Sequence, residues 1–152
     1  MQNKRPSLDE VFMEITDIFA KRSSCLRRKV GAALVKDGML ISTGYNGAPK
    51  KAISCLETGV CLRENVKSGE KLDYCKAAHA EINAIAQAAY CGINTKDSIL
   101  YCNLQPCNFC AKMIINAGVK EVIYKEDYND KLAIQLFKEA GVILRKYENK
   151  QK

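Results

Sequence analysis

The sequence predicts an α/β fold of three layers, α-β-α, with a mixed sheet of about five strands at its centre. Three observations carry that expectation. An Asp37, Gly38 pair lies between two β-prone runs, the pattern of a tight hairpin. Strand-like and helix-like segments alternate through the last third of the chain, which implies parallel pairing with crossover helices. An amphipathic helical pattern also precedes the hairpin, so helices are available for both faces of the sheet. With 152 residues, 47% of them apolar, the chain has the size of one domain, residues 1–152, and can bury a real core.

The elements follow in order. Ser7 to Glu10 has the form of a capping box, and Leu8, Val11, Phe12, Ile15, Ile18 and Phe19 recur at helical spacing, so a first helix is expected over residues 8–22. Residues 30–35 and 39–44 are the hairpin strands. Residues 46–76 show no convincing periodicity, and a loop that long is uncommon in a compact domain unless something functional fixes it. Cys55, Cys61 and Cys75 lie within it. Residues 77–91 carry alanine and isoleucine on nearly every face and stop before Gly92, the pattern of a buried central helix. The closing alternation is a strand at 98–103, a helix at 107–117 ended by Gly118, a strand at 121–124, a helix at 129–140 ended by Gly141, and a strand at 142–145.

No run approaches the roughly 20 apolar residues of a membrane span, and the opening residues show no apolar stretch behind their basic ones, so a soluble, cytoplasmic protein is expected. In that setting eight cysteines point to metal ligation or catalysis rather than to a disulfide framework. The net charge of +7, from 24 basic and 17 acidic residues, is spread along the chain without a basic arm. It attracts anions weakly and does not separate a nucleotide from a nucleic acid.

The one histidine of the chain sits in His79, Ala80, Glu81 at the start of the predicted central helix, and Pro106, Cys107, Asn108, Phe109, Cys110 stands at another strand-to-helix junction. H-x-E followed by P-C-x-x-C is the signature of zinc deaminases. Cys107 and Cys110 are three apart and so project from one helical face, where the positive end of the helix favours thiolate. Two thiolates and a neutral imidazole leave a fourth position open on zinc, the arrangement of a catalytic site. Glu81, two residues from His79, is the expected proton shuttle: it takes a proton from the attacking water and returns protons to ring nitrogen 3 of cytosine and to the leaving amine. The alternative is a redox C-x-x-C pair with Glu81 merely favouring a helix N-terminus, and it leaves the matching H-A-E unexplained.

With these motifs in view the chain resembles the deoxycytidylate (dCMP) deaminases of the cytidine deaminase-like superfamily. The resemblance runs through Val30, Gly31, Ala32, through STGYNGAP at 42–49, HAEINAI at 79–85 and PCNFCAKMIINAGVKEVIY at 106–124. Deaminases of tRNA adenosine share H-A-E and P-C-x-x-C but not the GYNG or AGVKEVIY segments. The resemblance implies hydrolytic deamination of dCMP to dUMP and ammonia. The alternative is a zinc deaminase acting on another cytosine nucleotide or nucleoside, or on a base in RNA or single-stranded DNA; the compact chain without a basic tail or tryptophan speaks against nucleic acid as a partner.

Further site residues follow from the resemblance. Asn46 should contact the deoxyribose, although Asn-Gly is also an ordinary turn former, and Tyr128 should lie near the substrate phosphate; Ala80 joins them as a substrate contact. Arg27, Arg28 and Lys29 offer charge for that phosphate. Many members carry a second, structural zinc; Cys25 and Cys55 match two of its ligand positions, and Cys61 and Cys75 complete a four-cysteine hypothesis that would give the long loop one shape. Cys91 and Cys102 match no ligand position and are expected as core thiols. Two residues after Pro49 the family usually has glycine, in a loop that some members use for dCTP and dTTP; here Lys50 and Lys51 follow, and lysine is a poor substitute where positive φ is needed, which speaks against such control. Regulated members are often hexamers, so a homo-oligomer is expected.

Overall fold

The computed structural model describes residues 5–148. Its elements, in chain order, are α1 (Leu8–Ala20), β1 (Gly31–Lys36), β2 (Met39–Tyr45), the one-turn α2 (Cys55–Thr58), α3 (Ala80–Tyr90), β3 (Ile99–Leu104), α4 (Asn108–Asn116), β4 (Glu121–Glu126), α5 (Lys131–Glu139) and β5 (Ile143–Lys146), with a short 3₁₀ turn at Leu72–Tyr74. The five strands form one sheet in the order β2-β1-β3-β4-β5. β1 runs antiparallel to β2 and β3, whereas β3, β4 and β5 are parallel, so the sheet is mixed as expected. The hairpin turns through Asp37 (φ 52°) and Gly38 (φ 74°), both left-handed, as the Asp-Gly pair requires of a two-residue connection.

Period-two alternation divides the strands between two cores. Ala33, Val35, Tyr101 and Ile123 face α1 and its Phe12 and Met13. Ala32, Leu34, Leu100, Cys102 and Val122 face the other way, against Ala84, Ala88, Ile114 and Phe137 of α3, α4 and α5. One helix thus covers one face and three cover the other, completing the three layers. Among the described residues no helix is long and apolar enough to cross a membrane.

Two helices differ from expectation in the face they bury. In α1 the buried residues are Phe12, Met13, Thr16 and Ala20, while Leu8, Val11 and Ile18 remain exposed. Gly31 explains the rotation: a Cβ there would stand 2.0 Å from the Thr16 carbonyl oxygen, so helix backbone lies directly on strand backbone at the Thr16–Ala20 turn. In α3 only Ala80, Glu81, Ala84 and Ala88 are buried; Ala86 and Ala89 are exposed, and Tyr90 is 80% exposed. The helix is therefore not buried on every side. It lays one alanine stripe on the sheet, at i, i+4 and i+8 from Ala80.

Candidate active site

α3 is set against β2 by contacts that only small and polar residues permit. A Cβ on Gly44 would fall 2.1 Å from the Ala80 carbonyl oxygen and 2.5 Å from the Ala84 nitrogen. Beside it the Ser42 hydroxyl donates to the Ala84 carbonyl at 2.7 Å and the Asn83 amide donates to the Tyr45 carbonyl at 2.8 Å. Residues 77–78, expected to be helical, are instead extended, because Ala78 pairs with Gly47 in an isolated bridge. The helix begins one residue after His79, which occupies its N-cap position.

Cys107 holds the equivalent position on α4, reached directly from β3 through Gln105 and Pro106. N-caps usually carry an oxygen that accepts from the first free amides. Neither His79 nor Cys107 makes such a bond. Asp130 does that work for α4 from outside: its carboxylate accepts from the Asn108 backbone N–H and side-chain amide, both at 2.9 Å, and from the Ala133 N–H at the start of α5 at 3.1 Å.

The two helix starts converge. His79 Nδ1 lies 3.5 Å from Cys107 Sγ and 3.3 Å from Cys110 Sγ, and the three donor atoms are all within 4.8 Å of one another. Ordinary zinc bond lengths in a tetrahedron place nitrogen and sulfur about 3.6 Å apart. The donor set and its spacing therefore fit a zinc ion. Among the described residues this is the one group of three or more potential ligands drawn so close.

The electrostatics agree with a ligand set. The Cys107 thiol is pulled down to about 4, chiefly by a hydrogen bond from Cys110, against the effect of burial and with help from His79. Cys110 is pushed well above the usual thiol range by that same shared bond and by burial. Hydrogen bonding to Cys107 raises His79, with burial opposing. Glu81, 4% exposed, is pushed up by burial, with His79 opposing. A carboxyl raised by burial holds a proton more readily than a solvated one, which suits a group that takes and returns a proton.

His79 and Glu81 open into a cavity of about 810 Å³, counting its mouth, whose wall also includes Ala80, Asn46 and Tyr128. All the anticipated substrate contacts therefore share this space, but Asn46 has a structural task as well. It is 7% exposed, accepts from the Val30 N–H at 2.8 Å and donates to the Arg28 carbonyl at 2.9 Å. Asn46 and Gly47 are both outside the left-handed region, so the Asn-Gly pair is not a tight turn here. Of the basic cluster, Arg28 lies over the Tyr128 ring at 5.6 Å and lines the cavity. Arg27 borders the same cavity, but its guanidinium is committed, donating to the carbonyls of Arg63 (2.6 Å) and Val66 (2.8 Å).

Cys25, Cys55, Cys61 and Cys75 are half-buried and line the same cavity. Burial raises the Cys55 thiol, and the neighbouring Cys61, Cys25 and Cys75 push it the same way. Cys102 is buried as expected; Cys91 is not a core thiol but is exposed at the end of α3, where Gln87 donates to its sulfur at 3.1 Å. Lys51 corrects the reading of the loop after Pro49: it adopts φ +70°, so the left-handed conformation is kept without glycine.

Sequence reasoning missed Arg63, Gln105 and Asp130. Arg63, 8% exposed, donates to the carbonyls of Glu70 and Lys67 and so folds the 63–70 segment around itself. Nothing in the sequence marks an arginine for that role. Asp130 had a legible signal, an N-cap residue type just ahead of a helical pattern.

A mixed sheet carrying two helix starts that present histidine, glutamate and two cysteines to one cavity defines a metal-binding site of the zinc deaminase type. The chain belongs to the cytidine and deoxycytidylate deaminase zinc-binding family, whose profile matches residues 6–126. It is 44% identical over 146 residues to the deoxycytidylate deaminase of Schizosaccharomyces pombe, covering 94% of this chain and 45% of that protein. It is 36% identical to the human deoxycytidylate deaminase, covering 91% of this chain and 78% of that one. The dCMP deaminase from the cyanophage S-TIM5, solved in complex with dCMP and dUMP, superposes with a TM-score of 0.79 at 32% identity, over 95% of this chain and all of that one. The chain thus spans about half the length of the fission yeast relative.

Proposed function

We propose that this protein hydrolyses the 4-amino group of dCMP, giving dUMP and ammonia, with zinc held by His79, Cys107 and Cys110. The observation that carries this reading is the approach of His79 Nδ1 to both sulfurs at zinc-like spacing, with the buried Glu81 beside them. The named relatives, two deoxycytidylate deaminases and a dCMP complex, support the choice of base and nucleotide.

Zinc bound there would supply a water acidified to a pKa of about 7 as the nucleophile. Glu81, its carboxyl pushed up by burial, is the residue that would accept a proton from the attacking water and return protons to ring nitrogen 3 and to the departing amine. Ala80, wholly buried at the first turn of α3, forms part of the wall beside the base. Asn46, held between Val30 and Arg28, lines the wall proposed to face the sugar, and Tyr128, backed by Arg28, flanks the phosphate.

Cys25, Cys55, Cys61 and Cys75 are the proposed ligands of a second, structural zinc. Their common cavity wall and their mutual influence on Cys55 support this, and Cys25 Sγ accepts from the Arg27 N–H at 3.4 Å. The metal would draw the four sulfurs closer than they stand. A homo-oligomer in the cytoplasm completes the proposal.

A panel of dCMP, CMP, deoxycytidine, cytidine and dCTP, scored by ammonia release, tests the substrate. Turnover should be best with dCMP. Preference for a free nucleoside contradicts the phosphate assignment, and inactivity on all five, with nucleic-acid binding that falls steeply with salt, transfers the activity to a base in a polynucleotide.

A further inference from the structure

We propose that Gln105 is a specificity-determining residue, its side-chain amide donating a hydrogen bond to the phosphate of the bound nucleotide. The inference rests on the nucleotide reading above.

Gln105 stands at the end of β3, immediately before Pro106 and Cys107, and is 3% exposed. Its Oε1 accepts from two successive backbone amides of the loop after β4, Tyr128 N–H at 3.0 Å and Asn129 N–H at 2.8 Å. Only the carbonyl oxygen of an amide can accept, so these two bonds fix which end is which. The nitrogen is left as a donor in a set direction. It makes no hydrogen bond to any described residue, and Ser98 Oγ is the one sealed side-chain polar atom without a partner among them. The Gln105 nitrogen is therefore not sealed, and the opening beside it is the cavity that Gln105 lines.

A largely buried side chain that keeps one donor open on the cavity offers it to whatever acceptor occupies that space. The neighbouring wall says what kind of group that is. Arg28 and the Tyr128 ring on which it lies share this part of the cavity. Of the nearby carboxylates, Asp127 is paired with Lys146, while Asp130 stays charged but has both oxygens engaged by Asn108 and Ala133 at the two helix starts. A guanidinium and an amide N–H together match an anionic, acceptor-only group, and the phosphate is the part of dCMP that fits. The two amides held by Oε1 also couple donor and loop: the bonds that aim the nitrogen are the bonds that hold Tyr128 in the wall.

Gln105→Glu separates the two tasks. A carboxylate still accepts from the Tyr128 and Asn129 amides but cannot donate, and it repels phosphate. With the metal-loaded full chain, calorimetric binding of dUMP and of deoxyuridine should diverge. The affinity for dUMP should fall about 10- to 100-fold, while that for deoxyuridine changes less than about threefold. The KM for dCMP should rise by a factor similar to the dUMP loss, with kcat little altered. Gln105→Met, which keeps the volume and loses donor and tether together, is the second variant should the glutamate form not fold; it too must weaken dUMP more than deoxyuridine. Equal losses for the two ligands, or none, overturn the proposal and leave Gln105 a loop tether. A wild-type chain that binds deoxyuridine as tightly as dUMP refutes the underlying nucleotide reading instead, whatever the variants do.

Discussion

Asp130 ties the starts of α4 and α5 together, and replacing it by alanine should weaken both the fold and the metal site. The substitution removes three hydrogen bonds from one half-buried carboxylate: the cap on Ala133 N–H at 3.1 Å and the two bonds from Asn108 at 2.9 Å. An N-cap is worth about 1 kcal/mol, and the charge-assisted pair at the α4 start adds about 1–2 kcal/mol at this exposure, so a loss of about 2–3 kcal/mol is expected. For a chain of this size that corresponds to a Tm lower by roughly 5–10 °C. Asp130→Asn, which can still accept, should lose less than about 1 kcal/mol. Because Cys107 caps α4 and Cys110 lies in its first turn, zinc affinity measured by competition with a chelator should fall about tenfold in the alanine variant.

The pH dependence follows from the sign of the shift. Burial alone would raise the Asp130 carboxyl, but the bonds from Asn108 N–H, Ala133 N–H and the Asn108 side chain outweigh it and hold the group below its ordinary range. A carboxyl lower in the folded state contributes its full stability above the unfolded pKa of about 4 and loses it as pH falls through the folded value. The gap between wild type and Asp130→Ala should therefore be widest near neutrality and shrink below about pH 4. A variant within about 0.5 kcal/mol of wild type at pH 7, the usual range of surface substitutions, refutes the double cap.

Other changes test other parts of the site. Gly44→Ala places a methyl group against the Ala80 and Ala84 backbone, and should cost about 1–3 kcal/mol in urea unfolding while displacing His79 and Glu81 enough to lower kcat. An unchanged midpoint and rate would show that α3 is free to move off β2. Metal analysis of the intact protein should find two zinc ions per chain, one of them lost when Cys55 and Cys61 are both replaced by serine; a single zinc in the intact protein eliminates the structural site. Tyr101→Phe removes the bond that its hydroxyl donates to Asp9 at 2.7 Å, between β3 and α1, and should lower stability by about 1 kcal/mol without changing turnover, since that network lies on the opposite face of the sheet from α3.

What the sequence made legible was whatever depends on local chemistry. Asp37, Gly38 set the hairpin, glycines ended α3, α4 and α5 in the left-handed region, and H-A-E with P-C-x-x-C marked the converging helix starts. The buried face of α3 was not legible, because alanine is both apolar and the best helix former, so composition alone does not tell a buried helix from a half-exposed one. The loop at 46–76 hid its organisation for a different reason. Its α-helical turn had a capping box in Ser54 and Glu57, a readable signal, but much of the rest is held by Arg27 and Arg63 bonding to backbone carbonyls, which leave no residue-type pattern. Gln105 escaped in the same way, since its partners are backbone amides more than 20 positions away.

The proposed chemistry rests on Glu81 beside a metal that His79, Cys107 and Cys110 would hold, and one variant tests it most directly. Glu81→Gln, purified beside wild type, should bind the same amount of zinc and convert dCMP to dUMP at a rate lower by at least about 10³-fold. Near wild-type turnover with zinc retained would contradict the proton-shuttle role.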